Sequence, residues 1–330
     1  MDMKVFVTGA TGFIGASLTR ALLSEGFTVK ALVRPDSDRR NLAGLDVELC
    51  TGDLRDRDSI ERGLTGCDTL YHAAADYRLW TRKPADMYDI NLGGTRNIME
   101  AALNRGISRV IYTSSVGTLG NPGDGTPGDE STPVSLTDMV GHYKKSKFLA
   151  EREAERYVEQ GVPIVIVNPS TPVGPLDIKP PPTGKIVVDF LNGKMPAYLD
   201  TGLNIIDVED CARGHILAAR HGRIGEKYVL GNANLTLRNI FSMLEEITGL
   251  PAPKVRLPYI PILLAAYANE ACSFLTGKEP LIPLAGVQMA RKFMFFDSSK
   301  AVRELGLPQG PVIDALRRAV EWFRSNGYVR

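Results

Sequence analysis

The first 170 residues alternate short apolar runs with longer segments whose apolar positions recur every three or four residues. The runs Lys4–Val7, Thr28–Val33, Val47–Leu49, Thr69–Tyr71, Arg109–Tyr112 and Pro163–Val167 read as strands. They are apolar throughout rather than alternating, as strands are when both faces of a sheet are covered. The segments Ile14–Ser24, Met87–Asn104 and Ser146–Glu159 carry the helical period. Six strands joined by crossover helices predict an α/β fold with a doubly wound parallel sheet.

After about Asn168 the pattern changes. Asn168–Pro175 is loop chemistry, and Pro180-Pro181-Pro182 is a stiff extended element. Helical periodicity returns at Val208–Arg220, Leu237–Thr248, Ile262–Leu275 and Val312–Arg324. This half predicts a smaller, mostly helical C-terminal lobe over the carboxyl ends of the strands, where ligands of such sheets bind.

Composition narrows the function. A hydrophobic fraction of 44% over 330 residues is enough for a sizeable core. The net charge is +1 and no run of like charges occurs, which argues against a nucleic-acid partner. Cys50, Cys67, Cys211 and Cys272 form no CxxC pair, and with the four histidines they give no metal-ligand spacing, so no metal is expected. Reduced thiols and an N-terminus that runs straight into a strand point to a cytoplasmic chain without a secretory signal. Pro261–Leu275 is too short for an integral membrane span and is interrupted by Asn269 and Glu270. It reads as an amphipathic helix of the lobe, with a peripheral contact at the inner membrane face as the alternative.

The first strand leads into Gly9-Ala10-Thr11-Gly12-Phe13-Ile14-Gly15, and a helix follows. Glycines at this spacing allow a tight turn, close approach to a pyrophosphate, and close packing of helix on strand. The helix N-terminus then offers free N–H groups to the anion. Gly9, Thr11, Gly12, Phe13, Ile14 and Gly15 are therefore cofactor-binding candidates; a purely structural turn is the alternative. The GxxGxxG spacing resembles the short-chain dehydrogenase/reductases, and with the length it resembles their extended branch. The resemblance implies a Rossmann-type dinucleotide-binding part, residues 1–178 with 203–232, and a substrate lobe, residues 179–202 with 233–330.

No acid stands at the tip of the second strand; Arg34 does, and Asp36 follows two residues later. An arginine there suits the 2′-phosphate of NADP(H). A solvated arginine is the alternative, and Asp36 leaves NAD(H) open. Asp53, followed by Leu54, ends the third strand and resembles the family's adenine-contacting aspartate. Ala73, Ala74 and Ala75 end the fourth, where small side chains let a cofactor lie against the backbone.

Among eleven tyrosines only Tyr143 has a lysine four residues on, Lys147, and on a helix the two share a face. A nearby ammonium is expected to lower the phenol pKa from about 10. Ser115 ends the fifth strand, where its hydroxyl can hold a carbonyl oxygen. Together these residues match the Ser–Tyr–Lys catalytic set of the family, with Tyr143 and Lys147 also touching the cofactor beside Pro169. Asn91 matches the family's Asn-x-x-Gly-Thr helix. His142 reads as a wall residue rather than an acid.

The resemblance covers nearly the whole chain. Ser115-Val116-Gly117-Thr118 is similar to dihydroflavonol 4-reductases. Ala73–Trp80, Gly141–Lys144, Asn168–Pro175 and Asp189–Gly193 look like the bacterial hopanoid-associated sugar epimerases, and Gly225–Gly231 looks like the family's late strand. Two departures bear on substrate. Where sugar-nucleotide epimerases carry an arginine for the substrate pyrophosphate, this chain has Leu203; where dihydroflavonol reductases carry an asparagine, it has Gly120. Substrate contacts are then expected from Tyr77, Trp80, His142, Thr171 and the 261–275 helix, with a ligand-free aromatic cluster as the alternative. The reading is an NADP(H)-dependent reductase of a small or lipid-linked carbonyl, such as a sugar-derived aldehyde or hemiacetal on a hopanoid side chain. An epimerase/dehydratase working through a transient keto intermediate and a non-catalytic NADP-sensing protein are the alternatives, and a homodimer stays open.

Overall fold

The computed structural model describes residues 3–329. The first part runs β1 (Lys4–Thr8), α1 (Phe13–Ser24), β2 (Thr28–Val33), β3 (Val47–Thr51), α2 (Arg57–Leu64), β4 (Thr69–His72), α3 (Pro84–Tyr88), α4 (Gly94–Arg105), β5 (Arg109–Thr113), α5 (Gly141–Glu159) and β6 (Ile164–Pro169). Next come β7 (Thr171–Val173), α6 (Pro182–Leu191), β8 (Ala197–Leu199), β9 (Gly202–Asp207), α7 (Val208–His221), β10 (Lys227–Leu230) and β11 (Ala233–Thr236). The chain ends with α8 (Leu237–Thr248), β12 (Val255–Leu257), α9 (Tyr259–Thr276), α10 (Leu284–Met289), α11 (Ser299–Leu305) and α12 (Val312–Ser325).

Seven strands form one parallel sheet in the order β10-β6-β5-β4-β1-β2-β3. The apolar runs predict six of these; β10, too short to stand out by pattern, is the strand that the resemblance places at Gly225–Gly231. Alternate residues of β1 feed opposite cores: Val5 and Val7 pack with Leu18, Leu22 and Ile216, while Phe6 packs with Ile60, Ile98 and Ile164. Both faces are thus covered, which is why the strands are apolar throughout. The order reverses at β1, which pairs with β2 on one side and β4 on the other, and a crevice opens there at the carboxyl ends.

A third core, built on Phe190, Phe241, Leu244, Leu316 and Phe323, belongs to the lobe. There is more strand here than the helical periodicity predicts: β12-β8 form a sheet within the lobe, and β11 of the lobe pairs with β9, which with β7 falls in the ranges expected for the dinucleotide-binding part, in a sheet ordered β11-β9-β7. Because β7 follows β6 almost directly and pairs with β9, the lobe is tied to the end of the main sheet.

Two helices depart most from their predicted bounds. Helix α5 begins at Gly141, whose φ of +72° suits a glycine, and so includes Tyr143. The predicted Met87–Asn104 helix is α3 and α4 joined by a π-helical turn, Asp89–Gly93. Among the described residues no helix is long and apolar enough to cross a membrane.

Candidate active site

The glycine loop turns at Gly9, whose φ is +78°. A Cβ there would lie 2.7 Å from the Ala74 nitrogen, and one at Gly15 would run into the Gly9 carbonyl oxygen. Helix α1 starts from Gly12, which brings no side-chain cap, and no acid stands in its first turn. The helix amides therefore face the crevice without a competing anion, and the loop fits a dinucleotide pyrophosphate.

A cavity of about 890 Å³ runs from this loop into the lobe. Its walls gather Gly9, Thr11, Gly12, Phe13, Ile14, Gly15, Arg34, Asp53, Leu54, Ala73, Ala74, Ala75, Tyr77, Ser115, Tyr143, Lys147, Pro169 and Thr171. Trp80 and His142 are not among them. They line a separate pocket of about 160 Å³ beside Phe274 and Gln288. Successive residues of a helix point about 100° apart. With Tyr143 facing the cavity, His142 turns to α3, where its Nδ1 lies 3.3 Å from the Tyr88 hydroxyl. The Trp80 ring packs 6.0 Å from that of Phe274. Of the 261–275 helix, Ile262 lines the cavity.

Ser115 leaves β5 in extended backbone, and its Oγ accepts the Gly117 N–H at 3.0 Å. Burial raises the Tyr143 phenol above its ordinary pKa, and hydrogen bonding with Ser115 opposes the rise. This reverses the expectation that Lys147 lowers it. The Lys147 ammonium is engaged elsewhere: it donates to the Thr113 carbonyl at 2.8 Å and the Tyr112 hydroxyl at 3.2 Å. Burial pushes its own pKa down to about 8, against an opposing pull from Glu151.

Glu151, one turn beyond Lys147, is fully buried. It accepts from Ser114 at 2.5 Å, Thr118 at 2.7 Å, Asn168 at 2.8 Å and Lys227 at 2.6 Å. Burial alone would raise its pKa, but the Lys227 ammonium and these hydroxyls outweigh it and hold the carboxyl below the usual range. The serine loop, α5, β6 and β10 thus converge on one carboxylate. Asn91, in the π-helical turn, accepts the Asp76 N–H at 2.7 Å and donates to the Asp76 carbonyl and to Ser146 Oγ. It fixes the exit of β4 against α5.

At the dinucleotide end, Arg55 holds Asp53 with bonds of 2.9 and 2.8 Å and keeps its carboxyl below the usual range. Arg34 lies against the cavity, and its Nε is 3.6 Å from Asp36 Oδ1.

Two wall residues escape sequence reasoning. Lys144 lies beside Tyr143, against Gly117 and Met294, and burial with the Lys292 charge lowers its pKa to about 8. Asp177 is buried, its Oδ1 lacks a partner, and burial raises its pKa to about 7. Only the adjacency of Lys144 to Tyr143 marks the first in sequence; nothing marks the second, which sits in a proline-rich loop.

Comparison with known proteins gives the family. The sequence profile of the NAD dependent epimerase/dehydratase family matches residues 5–231. A Synechocystis sp. protein provisionally named dihydroflavonol 4-reductase is 48% identical, covering 98% of this chain and 96% of its own. Sterol demethylase protein B of Methylococcus capsulatus is 34% identical, covering 99% of this chain and all of its own. The crystal structure of gox2253 superposes with a TM-score of 0.89 at 47% identity, covering 100% of both chains. The matching profile and these full-length relatives lead to one conclusion: the chain belongs to the NAD dependent epimerase/dehydratase family, within the extended short-chain dehydrogenase/reductases, and is a nicotinamide-dependent enzyme.

Proposed function

We propose that the enzyme reduces a carbonyl carried on an apolar body, with NADP(H) as its dinucleotide. The observation that carries this reading is Leu203, an apolar side chain on the cavity wall where sugar-nucleotide epimerases place their arginine. Met195, Leu237, Ile262 and Met294 extend the apolar wall. The relatives named for dihydroflavonol reduction and for sterol demethylation favour the same substrate character. A sugar-derived aldehyde or hemiacetal on a triterpenoid side chain, as in hopanoids, has both the polar carbonyl end and the hydrocarbon body. Arg34 supports NADP(H), since it lines the cavity and Asp53 is already held by Arg55.

A bound nicotinamide would supply the hydride. Ser115 Oγ would hold the carbonyl oxygen, and Tyr143 would donate a proton to it as the alkoxide develops. The raised phenol pKa keeps Tyr143 protonated, as an acid must be. Lys147, anchored to Thr113 and Tyr112 and lining the same cavity, would bind the dinucleotide ribose.

The test compares NADPH oxidation with a short polyhydroxy aldehyde and with the same head group on a large hydrocarbon. The lipid-bearing form is expected to win by at least ~100-fold in kcat/KM, or about 2.7 kcal/mol. Equal use of both, or a preference for a nucleotide sugar with tightly held NAD⁺, would overturn the reading in favour of an epimerase.

A further inference from the structure

Helix α9 is turned inside out. Over Tyr259–Thr276 it buries only Ala266 and Ser273. Ile260 is 69% exposed, Leu264 65%, Leu275 87%, and Leu281 in the following loop 92%. Its one charged residue, Glu270, is half-buried and lines the small Trp80 pocket. Ile260, Leu264, Ala268, Ala271 and Leu275 follow one another at steps of four, four, three and four residues, which is one line along a helix surface. Scattered exposed leucines need no explanation, but a continuous uncharged stripe marks an interaction surface.

Cations bracket the stripe. Lys254 precedes the helix and Lys278 follows it, both exposed. Arg82 reaches the far end and donates to the Phe274 carbonyl at 3.3 Å. Arg256 is neutralised by Asp200 at 2.5 Å, and Glu279 is the exposed acid beside Lys278. The balance is positive, as an anionic surface requires. The active-site cavity reaches the same place: Leu257, Ile262, Leu281 and Ile282 line it. Leu281 therefore belongs both to the cavity wall and to the exposed surface.

We propose that α9 and the Leu281 loop dock the enzyme on an anionic lipid bilayer. The helix lies in the interface plane, and the cavity opens toward the acyl chains. At 18 residues α9 is about 27 Å long. That is ample for an in-plane helix and short of an apolar span. A second copy of the chain would also cover the stripe, but it carries the same positive balance, which an anionic bilayer complements and a like-charged copy does not. A bilayer covers the stripe and leaves the Leu281 end of the cavity in contact with lipid. The docking does not depend on which carbonyl is reduced, so its test needs no turnover.

Flotation of the full chain with vesicles is the measurement, using phosphatidylcholine alone or mixed with phosphatidylglycerol. The protein is expected to float with the mixed vesicles, less well at high salt and less well on phosphatidylcholine alone. Leu264→Glu with Leu275→Glu is expected to weaken vesicle binding at least ~10-fold. Melting temperature and dinucleotide binding should be unchanged, because both side chains are exposed. Lys254→Glu with Lys278→Glu should remove the salt-sensitive part alone. Absence of flotation with either vesicle, or flotation of the leucine variant like wild type, would overturn the proposal. So would a dimer in sedimentation velocity that the leucine variant dissociates while no flotation occurs, since the stripe would then belong to a second copy.

Discussion

The Lys147 ammonium donates to the Thr113 carbonyl at 2.8 Å, so this lysine of α5 is anchored to the last residue of β5, two positions before Ser115. Its pKa of about 8 makes that charge titratable near neutrality. If the ammonium is the working form, kcat/KM falls as pH rises through about 8. Stability moves the other way. The folded pKa lies below the unfolded value, so above about 8 the unfolded chain binds the extra proton and this contribution to stability rises with pH, up to about 10.4. A pH–rate profile set beside denaturation at the same pH values checks both signs; Lys147→Met should abolish the basic limb.

Tyr143→Phe keeps the ring and removes the acid. Turnover should fall by ~10²–10⁴-fold with little change in dinucleotide affinity. Steady-state kinetics with a fluorescence titration of the cofactor decides it; near wild-type turnover would remove Tyr143 from the role of acid.

Arg34→Ala should weaken NADPH by roughly ten- to hundred-fold and leave NADH nearly untouched. Parallel titrations with the two dinucleotides measure this. An equal loss for both would make Arg34 a structural residue and return the preference to NAD(H).

Glu151→Gln removes the buried carboxylate of the network and leaves the Lys227 ammonium with Glu155 alone, at 2.9 Å. Because the ammonium keeps one partner, the loss should be about 1–3 kcal/mol, read by urea denaturation. In the wild type the depressed carboxyl contributes stability above the ordinary glutamate pKa and loses it as pH falls through the lowered folded value. The acid limb of the wild-type stability curve should therefore flatten in the variant.

What was legible in the sequence is what local spacing encodes. The glycine loop, the Tyr143–Lys147 step and the strand ends that carry Ser115, Asp53 and Ala73 are each set within a few residues, and all line the cavity. Rotation about a helix axis is less legible: one residue separates Tyr143 in the cavity from His142 outside it. Glu151 is opaque for another reason, since Lys227 lies 76 residues away and no pattern links them. The apolar content of the 261–275 helix reads as cavity wall, yet only packing decides which face neighbours cover, and here they cover Ala266 and Ser273.

The Asn91 clamp makes one half of the enzyme behave as a fixed jaw. One amide side chain grips both backbone groups of Asp76 and the hydroxyl of Ser146, so the segment after Ala73–Ala75 and the helix bearing Tyr143 move as a single piece. The loop at Ser115 is riveted to the same piece through Glu151. Any widening of the cavity to admit a bulky molecule therefore falls to the opposite jaw, α6, α9 and α10, while the distances among Ser115, Tyr143 and Lys147 stay set. On the proposed reading, the enzyme would yield to the shape of what it binds without loosening the atoms proposed to do the chemistry.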